Sequence, residues 1–342
     1  MSEATCEKVL QMEEPPIQTD QRNSAPPVPN SALDFAALAQ PSYAHTLFLG
    51  QNGLRPGWGF TFYVLLFYIF ARLLSFWISQ ATAALWPAMG PRWTEAFSEL
   101  GSLIAALIPA VILARIEKRP WKVYGLPLRR AFGRMFWLGT LWGFLGISIL
   151  MVTLFGIHDF DFGQVALHGL RIGKFALYWS MLFLLVGLFE EFLLRGYTQF
   201  TLARGIGFWP AAAMLSVTFG LIHLLNEGEQ WRGVLAAGWI GLFLCLTLRR
   251  TGSLWFAVGF HAAWDWGETF FYSVPDSGIS YPHQQLLHSS LHGSPWLTGG
   301  TVGPEGSLLC LLILGLAWIA FDRVFPRAVA PDLTRNTLPI QE

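Results

Sequence analysis

Eight apolar runs, each near or beyond the length that crosses a bilayer, follow one another from Trp58 to Phe325 and leave few folds open to this chain. They cover residues 58–80, 97–115, 134–156, 174–203, 207–225, 231–249, 252–272 and 306–325. Backbone N–H and C=O groups in lipid must bond within their own segment, so runs of about 20 apolar residues become helices. Composition agrees: 53% of the 342 residues are hydrophobic and 13% are charged, against about 25% charged in soluble domains. The expectation is an all-α membrane protein, a polytopic bundle of about eight transmembrane helices.

The chain divides by polarity. Residues 1–51 are polar, carry Pro15, Pro16, Pro26, Pro27 and Pro29, and read as a disordered tail with a short interfacial turn near Leu33 to Leu38. Residues 52–114 hold the first two membrane helices, 115–272 a core with polar motifs, 273–305 a long connection, and 306–342 the last helix and a tail. Arg115, Lys118, Arg119, Lys122, Arg129, Arg130 and Arg134 gather in one connection, which the positive-inside rule places in the cytoplasm. Threading from there puts both termini in the cytoplasm and the Lys- and Arg-free connection Ser273 to Glu305 outside. The N-terminus lacks a basic region followed by an apolar core, so targeting falls to the first membrane helix. Zero formal net charge and a pI near 7.1 argue against nucleic acid as a partner. Cys6, Cys245 and Cys310 show no metal-ligand spacing and read as buried hydrophobes or free thiols.

Within the fourth run stands Glu190-Glu191-Phe192-Leu193-Leu194-Arg195. Each charge at bilayer depth costs about 2.5–3.5 kcal/mol on insertion scales, so three together point to a functional site. Glu191 and Arg195 share a helix face at i,i+4 with the acid first, the favourable order for an ion pair. That pair alone reads as a polar pin for helix packing, whereas Glu190 points elsewhere and has no local partner. Phe219 and His223 lie i,i+4 on the fifth run, and His261 and Asp265 lie i,i+4 on the seventh. With a hairpin at Arg204 to Gly207, Glu190 and His223 stand about 23 and 26 Å from the bend, and so are level. His261 is only about 14 Å from the start of its run near Gly252, so that helix must begin deeper, tilt or be broken.

A carboxylate with two imidazoles and a second acid is suited to activating water. Glu190 can act as general base. His223 and His261 can hold a metal through neutral nitrogens or donate to the oxyanion of a tetrahedral intermediate, and Asp265 can ligate or orient. Two histidines and the Glu190 carboxylate would suit Zn2+ with an open position. The five other histidines, His158, His168, His283, His288 and His292, fall in connections and read as solvated.

In order and on successive apolar helices, Glu-Glu-x-x-x-Arg at Glu190 to Arg195, Phe-x-x-x-His at Phe219 to His223 and His-x-x-x-Asp at His261 to Asp265 resemble three motifs of the CPBP family of intramembrane metalloproteases. That family includes type II CAAX prenyl endopeptidases and bacterial bacteriocin-processing and self-immunity proteins. The resemblance runs from about Arg115 to Tyr272 and implies that residues 115–272 are an intramembrane protease core. It further implies that Glu190 and His223 activate water, Glu191 and Arg195 brace the site, and His261 and Asp265 bind metal or stabilise the oxyanion. Asp265 stands where the family often has Asn. The implied partners are the lipid bilayer and a membrane-associated peptide or protein substrate, and the implied location is the bacterial inner membrane. His-Glu-x-x-His, Gly-x-Gly-Asp, Gly-x-Ser-Gly and Walker A patterns are absent, which sets aside other intramembrane proteases and P-loop chemistry. Two rivals remain: a non-catalytic immunity or scaffold protein of the same fold, and a proton-coupled transporter, although paired repeats with broken helices are not visible in the sequence.

Overall fold

A computed structural model describes residues 43–50, 53–85, 91–281 and 283–326. Most of the expected N-terminal tail, Cys6 and the end of the chain lie outside the described residues. Contacts divide the chain into Met1–Leu47 and Phe48–Glu342. Of the first unit only the end is described, where the helical turn Tyr43–Phe48 begins. In the second, β1 (Leu49–Gly50) pairs antiparallel with β2 (Gly53–Leu54), so regular structure starts before the boundary expected at residue 51.

Every apolar run forms a helix. These are α1 (Pro56–Leu85), α2 (Pro91–Ile116), α3 (Arg134–Gly156), α4 (Leu170–Arg195), α5 (Tyr197–Ile206), α6 (Phe208–His223), α7 (Trp231–Thr251), α8 (Trp255–Trp266) and α9 (Leu308–Val324). Five stretches are long and apolar enough to cross a membrane: Pro56–Ala84, Trp93–Ile116, Arg134–Gly156, Leu170–Ile206 and Trp231–Thr251. The other three expected spans are shorter helices of 16 residues in α6, 12 in α8 and 17 in α9. A π-helical turn, Gly267–Tyr272, extends α8 to the end of its apolar run.

The fourth run is not one helix. It breaks after Arg195 at Gly196, whose ψ of −118° leaves the helical region. A Cβ there would sit 2.3 Å from the Phe192 carbonyl oxygen, so glycine is what allows the bend. The Thr198 hydroxyl bonds the carbonyl of Leu193 beside the break at 2.5 Å. Hydropathy does not register such a break, because apolar residues continue on both sides. The sequence reading has no break in the fourth run and allows one in the seventh only as an alternative to a deeper start or a tilt.

Helix α8 is the innermost element. Residues Ser253 to Phe260 are all buried, and the chain packs against α3, α4 and α7. Backbones of α3 and α8 approach closely because Gly139 and Gly143 face the carbonyls of Phe256 and Phe260, and Gly259 faces that of Phe136. Added Cβ atoms at these three positions would lie 2.0–2.2 Å from those oxygens. Small residues at such spacing are how helices pack when lipid removes the hydrophobic drive between them. The N-terminus of α8 is covered by the basic connection: Leu254 N–H bonds the Gly125 carbonyl at 2.8 Å, and the Trp255 indole bonds the Pro127 carbonyl at 3.1 Å. The helix therefore begins inside the protein, which brings His261 to the level of α4 despite its short distance from Gly252.

Connection 273–305 folds over the opposite end of the bundle, beyond the C-terminal end of α8. β3 (Phe160–Asp161) pairs antiparallel with β4 (Ser290–Leu291), tying it to the end of α3. Tyr281 donates to Glu95 of α2 at 3.0 Å, and the Trp179 indole of α4 donates to the Gln284 carbonyl at 3.1 Å.

Candidate active site

On α4, the ladder that fixes Glu191 also fixes Arg195 one turn later. Arg195 Nη1 lies 2.9 Å from Glu191 Oε1, and both side chains are buried. The sequence expectation of an intrahelical ion pair holds. The guanidinium also lies 4.6 Å above the Phe219 ring of α6, a cation–π contact that joins the two helices.

Three acids surround His261. Its Nδ1 lies 2.9 Å from Glu191 Oε1, while Nε2 lies 3.5 Å from Glu190 Oε2 and 3.4 Å from Asp265 Oδ2. Glu191, ionised against Arg195, can only accept, so Nδ1 carries the proton and Nε2 is the nitrogen presented to Glu190 and Asp265. Glu190 is thus not partnerless: its partner is on α8, 71 residues away in sequence at His261. Its side chain keeps 25% exposure, whereas Glu191 has none, so the first acid is accessible and the second is sealed.

The hairpin that carries His223 is not straight. Because α4 ends at Gly196, the ruler from Arg204 back to Glu190 does not apply, and no ion pair or hydrogen bond joins His223 to Glu190 among the described residues. His223 Nδ1 donates to the Phe219 carbonyl at 2.8 Å. The Phe219 ring neighbours both imidazoles, its centroid 4.5 Å from that of His223 and 6.3 Å from that of His261. Phe219 therefore touches Arg195 and both histidine rings, a larger part than its place as the first letter of a motif suggested.

His223, His261 and Asp265 line one cavity with Phe219, and Ser277 and Glu305 of the 273–305 connection close it. Sequence reasoning missed those two. The one signal was a connection carrying Asp276 and Glu305 with no Lys or Arg to offset them. Burial pushes the carboxyls of Asp276 and Glu305 up to about 7.

Zinc is tested by donor chemistry. Both histidines give Nδ1–H to an oxygen acceptor, the arrangement that leaves Nε2 bare for a metal. The residues fit in that respect, although among the described residues Glu190, His223 and His261 do not bring ligand atoms within 4.8 Å of one another. The three acids that do come together, within 4.8 Å, are Glu268, Asp276 and Glu305. The five other histidines are exposed, as expected, and Cys245 and Cys310 are buried free thiols.

Residues 172–267 match the family of type II CAAX prenyl endopeptidases, Rce1-like. The family resemblance read from the three motifs is borne out. The matched stretch contains Glu190, Glu191, Arg195, His223, His261 and Asp265, and runs from α4 to the end of α8. No curated protein and no solved structure matches the chain. With its long apolar helices, the Rce1-like segment sits in an integral membrane protein of all-α architecture.

Proposed function

We propose that the protein is an intramembrane endopeptidase that hydrolyses a peptide bond of a membrane-associated peptide or protein with a water activated by Glu190. One observation carries this: His261, oriented through Nδ1 by the sealed Glu191/Arg195 pair, turns Nε2 toward the more exposed Glu190 and toward Asp265. Glu190 takes a proton from water and passes it to the leaving amine, as a base that becomes an acid. Glu191 and Arg195 hold the imidazole. Asp265 steadies it from one turn away on the same helix. His223, fixed by the Phe219 carbonyl, presents Nε2 across the cavity toward the reacting carbonyl. Zn2+ held by the Nε2 atoms of His223 and His261 would supply a Lewis acid for the substrate carbonyl, with Glu190 left free as the base.

The family match supports a CAAX-protease-like substrate adjoining the bilayer. In a bacterial inner membrane, with both termini cytoplasmic, Ser273 to Glu305 would face outward, and cysteine labelling that placed Ser289 on the side of Arg119 would contradict this orientation. The transporter reading gains broken helices, but the breaks do not form a visible repeat. Membrane peptides compared in cells with the protein, without it, and with Glu190→Gln would decide. A peptide set released by the wild type and missing in both controls is expected. A cellular effect retained by Glu190→Gln would favour the scaffold reading.

A further inference from the structure

A second acidic cluster lies beyond the matched stretch, at the junction of the π turn and the 273–305 connection. Glu268, Asp276 and Glu305 are respectively 0%, 7% and 6% exposed, and one oxygen from each lies within 4.8 Å of the others. Each acid is anchored by a neutral donor. Trp264 Nε1 bonds Glu268 Oε2 at 3.1 Å, Thr269 Oγ1 bonds Asp276 Oδ2 at 3.0 Å, and Ser277 Oγ bonds Glu305 Oε1 at 2.6 Å. None of the three enters an ion pair among the described residues. Glu268 Oε1 is buried without a hydrogen-bond partner, on a carboxylate that faces the other two.

Such a group is costly as three bare charges. Unpaired buried carboxylates shed charge or acquire a counter-ion. Here the neutral donors orient the oxygens without neutralising them, and one oxygen is left idle. Two oxygens on opposite sides of a Ca2+ ion at 2.3–2.6 Å stand roughly 4.6–5.2 Å apart, so a spread within 4.8 Å fits around one such ion. Mg2+, with bonds of about 2.0–2.1 Å and strict octahedral demands, fits a fixed set of three carboxylates less well. An all-oxygen donor set favours a hard cation over zinc.

We propose that Glu268, Asp276 and Glu305 form a binding site for a hard divalent cation, Ca2+ in preference to Mg2+, that ties the 273–305 connection to the end of α8. Glu305 also lines the cavity with His223, His261 and Asp265, so the ion fixes one wall of that cavity. The ion's ligands are none of the hydrolytic groups, and the proposal does not depend on the function assigned to them.

The test uses full-length protein in detergent, stripped with EDTA, followed by equilibrium dialysis against radiolabelled Ca2+ and by thermal unfolding. Wild type is expected to take up one ion per chain with Kd on the order of 10⁻⁴–10⁻³ M, and saturation should raise Tm by on the order of 5 °C. Glu268→Gln and Asp276→Asn should lose both effects yet unfold in EDTA no earlier than wild type, since each removes a crowded charge. Glu190→Gln should bind Ca2+ as wild type does, which separates this site from the hydrolytic one. Absence of Ca2+ uptake by wild type at about 10 mM, preference for Mg2+, or uptake undiminished in both amide variants would overturn the proposal. The wild-type titration is decisive by itself where a variant does not accumulate.

Discussion

Two trios of buried or half-buried acids sit along α8, and they are satisfied in opposite ways. Glu190, Glu191 and Asp265 converge on the imidazole of His261, and Glu191 is paired besides with Arg195 one turn along its own helix. Glu268, Asp276 and Glu305 are hydrogen-bonded by neutral donors, hydroxyls, an indole and the Glu305 backbone, and enter no ion pair among the described residues. In the first trio the acids are turned on one imidazole and, for Glu191, on a guanidinium, and the one acid left partly open, Glu190, is the one free to exchange a proton. In the second, geometry is fixed while charge is left uncompensated. The difference teaches that acid content in a membrane bundle does not mark a catalytic site; the charges facing the acids separate a proton-handling site from a cation-holding one.

The largest effect on stability is expected where a compensating cation is removed. Arg195→Ala should leave Glu191 unpaired in the interior, a loss of about 3–5 kcal/mol, seen as reduced yield and Tm. Replacing both partners, Glu191→Leu with Arg195→Met, should recover most of that stability without recovering turnover, because His261 would lose its Nδ1 acceptor. Normal Tm in Arg195→Ala with abolished turnover would instead make the guanidinium a substrate contact and break the comparison.

A smaller loss is expected from changing how α8 is seated. Gly143→Ala puts a Cβ against the Phe260 carbonyl, 2.2 Å from its oxygen, and must push α3 from α8. Overpacking of this kind costs about 1–3 kcal/mol, and because α8 carries His261 the turnover should fall with Tm. Unchanged Tm would mean that the two backbones can part freely. At the bottom of the scale, the exposed pair His292 and Asp161 at 3.1 Å is a surface contact, and His292→Ala should change stability by no more than about 1 kcal/mol in the same unfolding assay.

What could be read in advance follows from the same contrast. The first trio lies on regular helices, where i,i+4 spacing places Glu191 beside Arg195 and His261 beside Asp265, so its chemistry is visible as a pattern. Helical runs were equally visible, since bilayer length leaves little choice of structure. Their breaks were not. Gly196 is one of 34 glycines, and its role appears only once Phe192 is seen behind it. The straight-helix ruler from Arg204 to Glu190 therefore loses its basis, and the contact of Phe219 with both imidazoles was not foreseen. The second trio has no period at all, because its members come from a π turn, a loop and the middle of a short 3₁₀ turn at Pro304–Gly306.

The central claim is that Glu190 handles the proton of the attacking water while Glu191 only orients the imidazole. Its most direct measurement is single-turnover hydrolysis of a fluorescent membrane peptide by purified Glu190→Gln, beside wild type in the same detergent. The amide keeps the size of the side chain and cannot take up a proton. Turnover should fall by about 10²–10⁴-fold or more, with Tm and peptide affinity close to wild type. Full hydrolysis by Glu190→Gln would contradict the account and leave the acids around His261 a structural role alone.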